Sequence, residues 1–150
     1  VSNKREAREF CLQFLYHFQL PAFQEHKREL ETSEIFKRLQ EFKETLHLEL
    51  SSDSQAYVTS IVKGILKSYS ELEEILTKYL KNWKLSRLSK IEHTILIMGI
   101  YELKFHPETP AKVVINEAIE LGKKYSSKES GSFINGVLDS FYKQEIKING

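Results

Sequence analysis

Only one cysteine, Cys11, occurs in 150 residues, which excludes an intramolecular disulfide and a cysteine-rich zinc site and suits a reducing compartment. Proline and glycine are scarce too, at three and six residues. That is too little for a disordered tail or a turn-rich β-sandwich. The glycines are also isolated, so there is no phosphate-cradling loop and no nucleophile elbow. A formal net charge of +1 leaves no global excess of either sign, and any basic surface must be local. No apolar run approaches the ~20 residues of a membrane-spanning helix. The longest, TILIMGIYEL from Thr94 to Leu103, carries Glu102 and reads as a buried core helix. The start, VSNKREAREF, lacks the apolar stretch of a signal peptide, and a cytoplasmic location is expected. The histidines, His17, His26, His47, His93 and His106, show no HExxH spacing and no evident carboxylate scheme. Neither a metal, a cofactor nor a catalytic constellation is expected, and an enzyme is disfavoured.

What is present is helical periodicity. With 41% hydrophobic and 29% charged residues, the chain suits a single domain over residues 1–150 that buries roughly 70% of the surface its unfolded form exposes. Asn3 with Glu6 predicts the cap of a first helix from about Lys4 to Leu20, with Ala7, Phe10, Cys11, Phe14, Leu15 and Phe18 as its stripe. Cys11 is then an inert core thiol, and Pro21 ends the helix. A second helix is expected near Ser33 to Leu46, with Ile35, Phe36, Leu39, Phe42 and Leu46 inward. Ser52 with Gln55 and Ser70 with Glu73 are capping-box patterns that predict two further helices. The first turns Val58, Ile61, Val62, Ile65, Leu66 and Tyr69 inward. The second, shorter one does the same with Leu72, Ile75, Leu76, Tyr79 and Leu80, and runs into a loop with Trp83, Leu85, Arg87 and Leu88.

Ser89 with Glu92 opens a helix from about Lys90 to Phe105 that is apolar on nearly all sides, and therefore central. Pro107 closes it. Thr109 before Pro110 predicts an N-cap and first-turn proline for a helix with Val113, Ile115, Ala118, Ile119 and Leu121 inward, ending near Tyr125. A last helix is expected from about Ser130 or Gly131 to Lys143, with Phe133, Ile134, Val137, Leu138 and Phe141 inward. No segment alternates as a strand. The expectation is an all-α fold of about seven helices in a single compact bundle.

Opposite its apolar stripe, the first helix presents Arg5, Glu9, Leu12 and Tyr16. Leu12 and Tyr16, one turn apart, read either as ordinary exposed apolar residues or as a small protein-contact patch anchored by tyrosine. Such a patch suits self-association as well, which leaves a homodimer open. Lys4, Arg5 and Arg8 form a basic cluster interleaved with Glu6 and Glu9. A solvated charged face and a polyanion contact are both open readings, because cations oppose the dipole of a helix start whose N–H groups attract anions. Further on, Asn116-Glu117 and Asn135-Gly136 interrupt apolar stripes. They suggest close helix approach at Gly136, where glycine costs about 1 kcal/mol against alanine, with the asparagines bonding backbone ends. The loop Lys128, Glu129, Ser130, Gly131, Ser132 leads into a helix start able to offer N–H groups to phosphate. Phe133 is near enough to stack on a base unless the core claims it.

Four motifs, in order, carry a family resemblance: the basic start KREAREFCLQFLY, the Trp83 to Glu92 stretch leading into IYEL, VINEAIELGKKY, and SFINGVLD. From about Lys4 to Lys143 the chain resembles the NusB family of transcription antitermination factors. The resemblance implies an all-helical fold of two packed helical subdomains. It also implies a bacterial cytoplasmic role: binding the boxA element of nascent ribosomal RNA leaders together with NusE, a small-subunit ribosomal protein, to assemble an antitermination complex on RNA polymerase. Carried over by position, RNA binding falls on Lys4, Arg5 and Arg8, with Glu129 and Phe133 as a second RNA-facing region. The NusE-facing surface takes in Tyr16 and Glu92, and Leu12 adjoins Tyr16. Familiar members have a denser arginine run at the start, and Glu6 interrupts it here, which implies stronger dependence on the partner. A NusB-like domain also stands at the N-terminus of ribosomal RNA cytosine methyltransferases. That setting, and a protein-binding helical scaffold without RNA, are the alternatives.

Overall fold

The computed structural model describes residues 2–17, 32–80 and 88–147; Phe18, Leu20, Pro21, His26, Trp83, Leu85 and Arg87 lie outside them. The helices are α1 (Ser2–His17), α2 (Thr32–Thr45), α3 (Ser52–Tyr79), α4 (Lys90–Phe105), α5 (Ala111–Tyr125) and α6 (Ser130–Phe141), with a π turn at Tyr142–Ile146. No strand occurs among the described residues. The chain divides into two compact units, Val1–Tyr69 and Ser70–Gly150.

One helix stands where two were expected. Ser70 and Glu73 lie inside α3, which runs for 28 residues. No proline or glycine separates Tyr69 from Leu72, and the buried positions keep their helical spacing through Ile75 and Leu76. A capping-box pattern permits a helix start but does not compel one. At the true start the cap is Ser51 and not Ser52: the Ser54 N–H donates to Ser51 Oγ at 3.2 Å, and the Gln55 N–H to the Ser51 carbonyl at 2.9 Å. The Gln55 side chain is instead used by Lys43, whose Nζ donates to it at 3.1 Å.

In the first unit, Phe42 of α2 meets Phe10 and Phe14 of α1 edge to face, with ring centroids 5.5 and 5.6 Å apart. Ile35, Leu39, Val58, Ile61, Val62 and Ile65 complete this core. Phe36 and Leu46 are exposed, against expectation. The inward arc of α2 is the narrow i, i+4, i+7 row of buried Ile35 and Leu39 and half-buried Phe42, and Leu46 lies past the helix end. There His47, at φ 55°, closes the helix in the left-handed conformation, with the Leu48 N–H reaching back to the Lys43 carbonyl at 3.1 Å. Asn3 is already helical, so it is not the cap of α1.

In the second unit, α4 is the buried centre, with every residue from Thr94 to Leu103 enclosed; α5 and α6 pack on it and on each other. Close approach falls at glycines other than Gly136. A Cβ on Gly99 would lie 2.8 Å from Leu138 Cδ1, and one on Gly122 would lie 2.5 Å from Ile134 Cδ1. Asn116 and Asn135 are both exposed. Pro110, not Thr109, is the N-cap of α5: at φ −56° and ψ 135° it is extended, and its carbonyl accepts from Val113 and Val114 at 3.0 and 3.2 Å. The inward arc of α5 is Val114, Ile115, Ala118 and Leu121, which leaves Val113 exposed.

After α6 the hydrogen bonding lengthens to the π pattern, the Lys147 N–H donating to the Tyr142 carbonyl at 2.8 Å. Glu145 thereby reaches the end of α3, where Tyr79 Oη donates to its Oε2 at 2.5 Å and Lys78 Nζ lies 3.4 Å away. Burial, then the hydrogen bond and charge of Glu145, push the Tyr79 hydroxyl up to about 12. The same hydroxyl is the chief cause that lowers the Glu145 carboxyl, against its burial and with help from Lys78.

Candidate functional site

The basic start of α1 divides by burial. Lys4 and Arg5 are exposed, whereas Arg8 is only 5% exposed. Both Lys4 and Arg8 meet Tyr57 of α3: the Arg8 guanidinium carbon lies 5.8 Å from its ring centroid and Lys4 Nζ 5.7 Å. Both distances suit cation–π attraction, which tolerates a desolvated guanidinium better than a bare hydrophobic wall does. Tyr57 was missed in the sequence. The available signal was an aromatic residue standing off the Val58, Ile61, Val62, Ile65 stripe.

Leu12 is not a surface residue. It is 1% exposed, because it stands one turn beyond Arg8, on the side of α1 that faces Tyr57, while Phe42 covers another side. A helix enclosed from two directions has no free apolar back, and a wheel with a single stripe misplaces such a residue. Tyr16 does reach the surface, at 43% exposure.

Glu92 is turned inward as well. Its Oε1 accepts from the Ser89 N–H at 3.1 Å and from Ser89 Oγ at 3.0 Å, and its own N–H returns a bond to Ser89 Oγ at 3.1 Å. Its Oε2 accepts from Ser130 Oγ at 2.7 Å. Both residues of that last bond are buried. The carboxylate thus closes the capping box of α4 and holds the start of α6 to it. Both oxygens of Glu92, expected to face the partner, are engaged within the fold.

Glu129 and Phe133 flank the start of α6, the first exposed and the second half-buried. The helix-start amides expected to face phosphate are largely used locally. The Ser130 N–H donates to the Ser127 carbonyl at 3.1 Å and to Ser127 Oγ at 3.3 Å, and Gly131 and Phe133 bond the Lys128 and Glu129 carbonyls. Three of the amides at this helix start are therefore taken, and an anion contact here rests mainly on side chains.

Two histidines do have carboxylate partners. His93 Nε2 lies 2.9 Å from Glu73 Oε2, and His106 Nδ1 lies 2.8 Å from Glu108 Oε2. Among the described residues, no three His, Cys, Asp or Glu side chains are grouped to hold a metal ion. Cys11 is fully buried. None of the described helices is long and apolar enough to cross a membrane.

Comparison with known proteins places these features. Residues 5–143 match the NusB family. The transcription antitermination protein NusB of Thermodesulfovibrio yellowstonii is 34% identical over 144 residues, covering 96% of this chain and 94% of that protein. Among solved structures, NusB of T. maritima superposes with a TM-score of 0.75 at 27% identity, over 97% of this chain and 94% of the other. A structure of the antitermination factors NusB and NusE in complex with double-stranded RNA matches with a TM-score of 0.75 at 25% identity, over 95% and 98%. By the span of the family match and by identity maintained over nearly the full length of a curated relative, this chain belongs to the NusB family.

Proposed function

We propose that this chain is a transcription antitermination factor that binds boxA-type RNA of nascent ribosomal RNA together with the ribosomal protein NusE, promoting processive transcription by RNA polymerase. The observation that carries this reading is the likeness, over 95% of the chain, to NusB solved with NusE and RNA. The chain acts in the cytoplasm as one helical RNA- and protein-binding domain, by recognition and not by catalysis. Lys4 and Arg5 hold phosphates, Arg8 acts from beneath them through Tyr57, and Glu129 and Phe133 form the second RNA-facing region. Tyr16 anchors NusE, while Glu92 supports the start of α6 from within.

Two exposed cations at the start of α1 imply a log–log salt slope of about −1.4 from that segment, at about −0.7 per single-strand phosphate contact. The deciding experiment is a titration of labelled boxA RNA with and without NusE. Binding that strengthens with NusE and weakens with salt supports the reading. Absence of RNA binding in both arms would leave a protein-binding scaffold.

A further inference from the structure

Gly131, in the first turn of α6, is buried and has no left-handed backbone to explain it. What it accommodates is a lysine. A Cβ at this position would lie 3.2 Å from Lys123 Cε and 3.6 Å from Lys123 Cγ, so the methylene stem of Lys123 crosses from α5 directly over the glycine. Ile119 Cγ2 lies equally close, at 3.2 Å, and walls the stem from the other side. Glycine weakens a helix relative to alanine; here its place lets a long cationic side chain lie flat with its charge at the rim, as snorkelling lysines do. The Lys123 side chain remains 51% exposed, and its ion pair to Glu120 on the same helix is long, at 3.8 Å. Its ammonium is one bond beyond Cε, which lies by Gly131 in the same helical turn of α6 that carries Phe133. Three amides of that helix start, those of Ser130, Gly131 and Phe133, are committed to Ser127, Lys128 and Glu129, so a side-chain cation is the chief charge the surface offers an anion.

We infer that Lys123, seated over Gly131, is an RNA-phosphate contact of the second RNA-facing region. The inference rests on the RNA-binding function proposed for this chain and extends it to a residue outside the helix α1 cluster. A lysine fixed along its stem loses less side-chain freedom on binding than a fully mobile one, which favours a defined phosphate position.

The test is a titration of labelled boxA RNA in the presence of NusE at several salt concentrations, with thermal unfolding measured in parallel. Lys123→Met keeps an unbranched stem over Gly131 and removes the charge. It is expected to make the salt slope shallower by about 0.7 and to weaken binding about 5-fold at 0.1 M salt. Lys123→Arg should restore both. An unchanged slope for Lys123→Met, with or without loss of affinity, overturns the inference and marks the stem as packing only. If the unsubstituted protein fails to bind the RNA, the functional reading falls and takes this inference with it. If it binds and Lys123→Met keeps the slope, the inference alone falls.

Discussion

Ser130 Oγ donates a 2.7 Å hydrogen bond to Glu92 Oε2, joining the first turns of two helices that are 38 positions apart in the chain. Both residues are buried, so water cannot readily replace a lost partner. Ser130→Ala leaves a carboxylate oxygen without its donor and is expected to destabilise the fold by about 1–3 kcal/mol. That corresponds to a fall in Tm of roughly 2–4 °C per kcal/mol for a chain of this size. Calorimetry measures it; a Tm equal to that of the parent protein would show that the bond contributes nothing.

Leu12 and Tyr16, one turn apart on α1, should part company on substitution. Leu12→Ala opens a cavity in the first unit and is expected to cost about 2–5 kcal/mol. Tyr16→Ala removes a side chain that is 43% exposed, and should leave Tm nearly unchanged while weakening NusE binding in a titration. A large loss of stability from Tyr16→Ala would place that residue in the core.

Arg5 and Arg8 should also separate. Arg5→Ala is expected to lower RNA affinity and make the salt slope shallower by about 0.7, with little change in thermal unfolding. Arg8→Ala removes a buried guanidinium from the Tyr57 ring, and should lower Tm by more than Arg5→Ala does. The reverse order of Tm effects would contradict the burial seen for Arg8.

The Tyr79–Glu145 pair predicts a pH signature. The Tyr79 hydroxyl is raised from 10.0 to about 12 in the folded state, so the folded protein holds this proton more firmly than the unfolded chain. Its contribution is complete below pH 10 and is lost as pH rises from 10 through about 12. The Glu145 carboxyl is lowered, so its contribution is present above the ordinary carboxylate range and is lost as pH falls through the folded value. Tyr79→Phe should therefore flatten the alkaline decline in urea midpoints. Tyr101, raised by burial and by Glu102, supplies what remains of it. A decline as steep as the parent's would assign the effect elsewhere.

Local chemistry was the part of the fold most legible in the sequence. Helix α4 begins and ends where the Ser89–Glu92 box and Pro107 place its limits, because capping bonds and proline sterics act within a few residues. The join of two expected helices into α3 was illegible for the converse reason: Ser70 and Glu73 can cap a helix or sit within one, and only packing decides. Of the candidate site residues, Lys4, Arg5 and Tyr16 are exposed as the first helix alone led one to expect. The burial of Leu12, Arg8 and Glu92 was not legible. Arg8 meets Tyr57 of α3 and Glu92 meets Ser130 of α6, and burial by other helices is something pattern reading on one helix cannot see. The contact between Lys123 and Gly131 likewise exists only once α5 and α6 are packed.

The π turn after α6 is a helix carrying one residue more than α-helical bonding accommodates. Glu145 lies within this turn, and from there its carboxylate meets Tyr79. Substitutions along Tyr142–Ile146, other than at Glu145, should therefore matter less than the number of residues there. Removing one of them would relax the segment to ordinary α-helix and swing the carboxylate off its tyrosine with every side chain chemically intact. Glu145 aside, this stretch should tolerate changes of letter and resist changes of length.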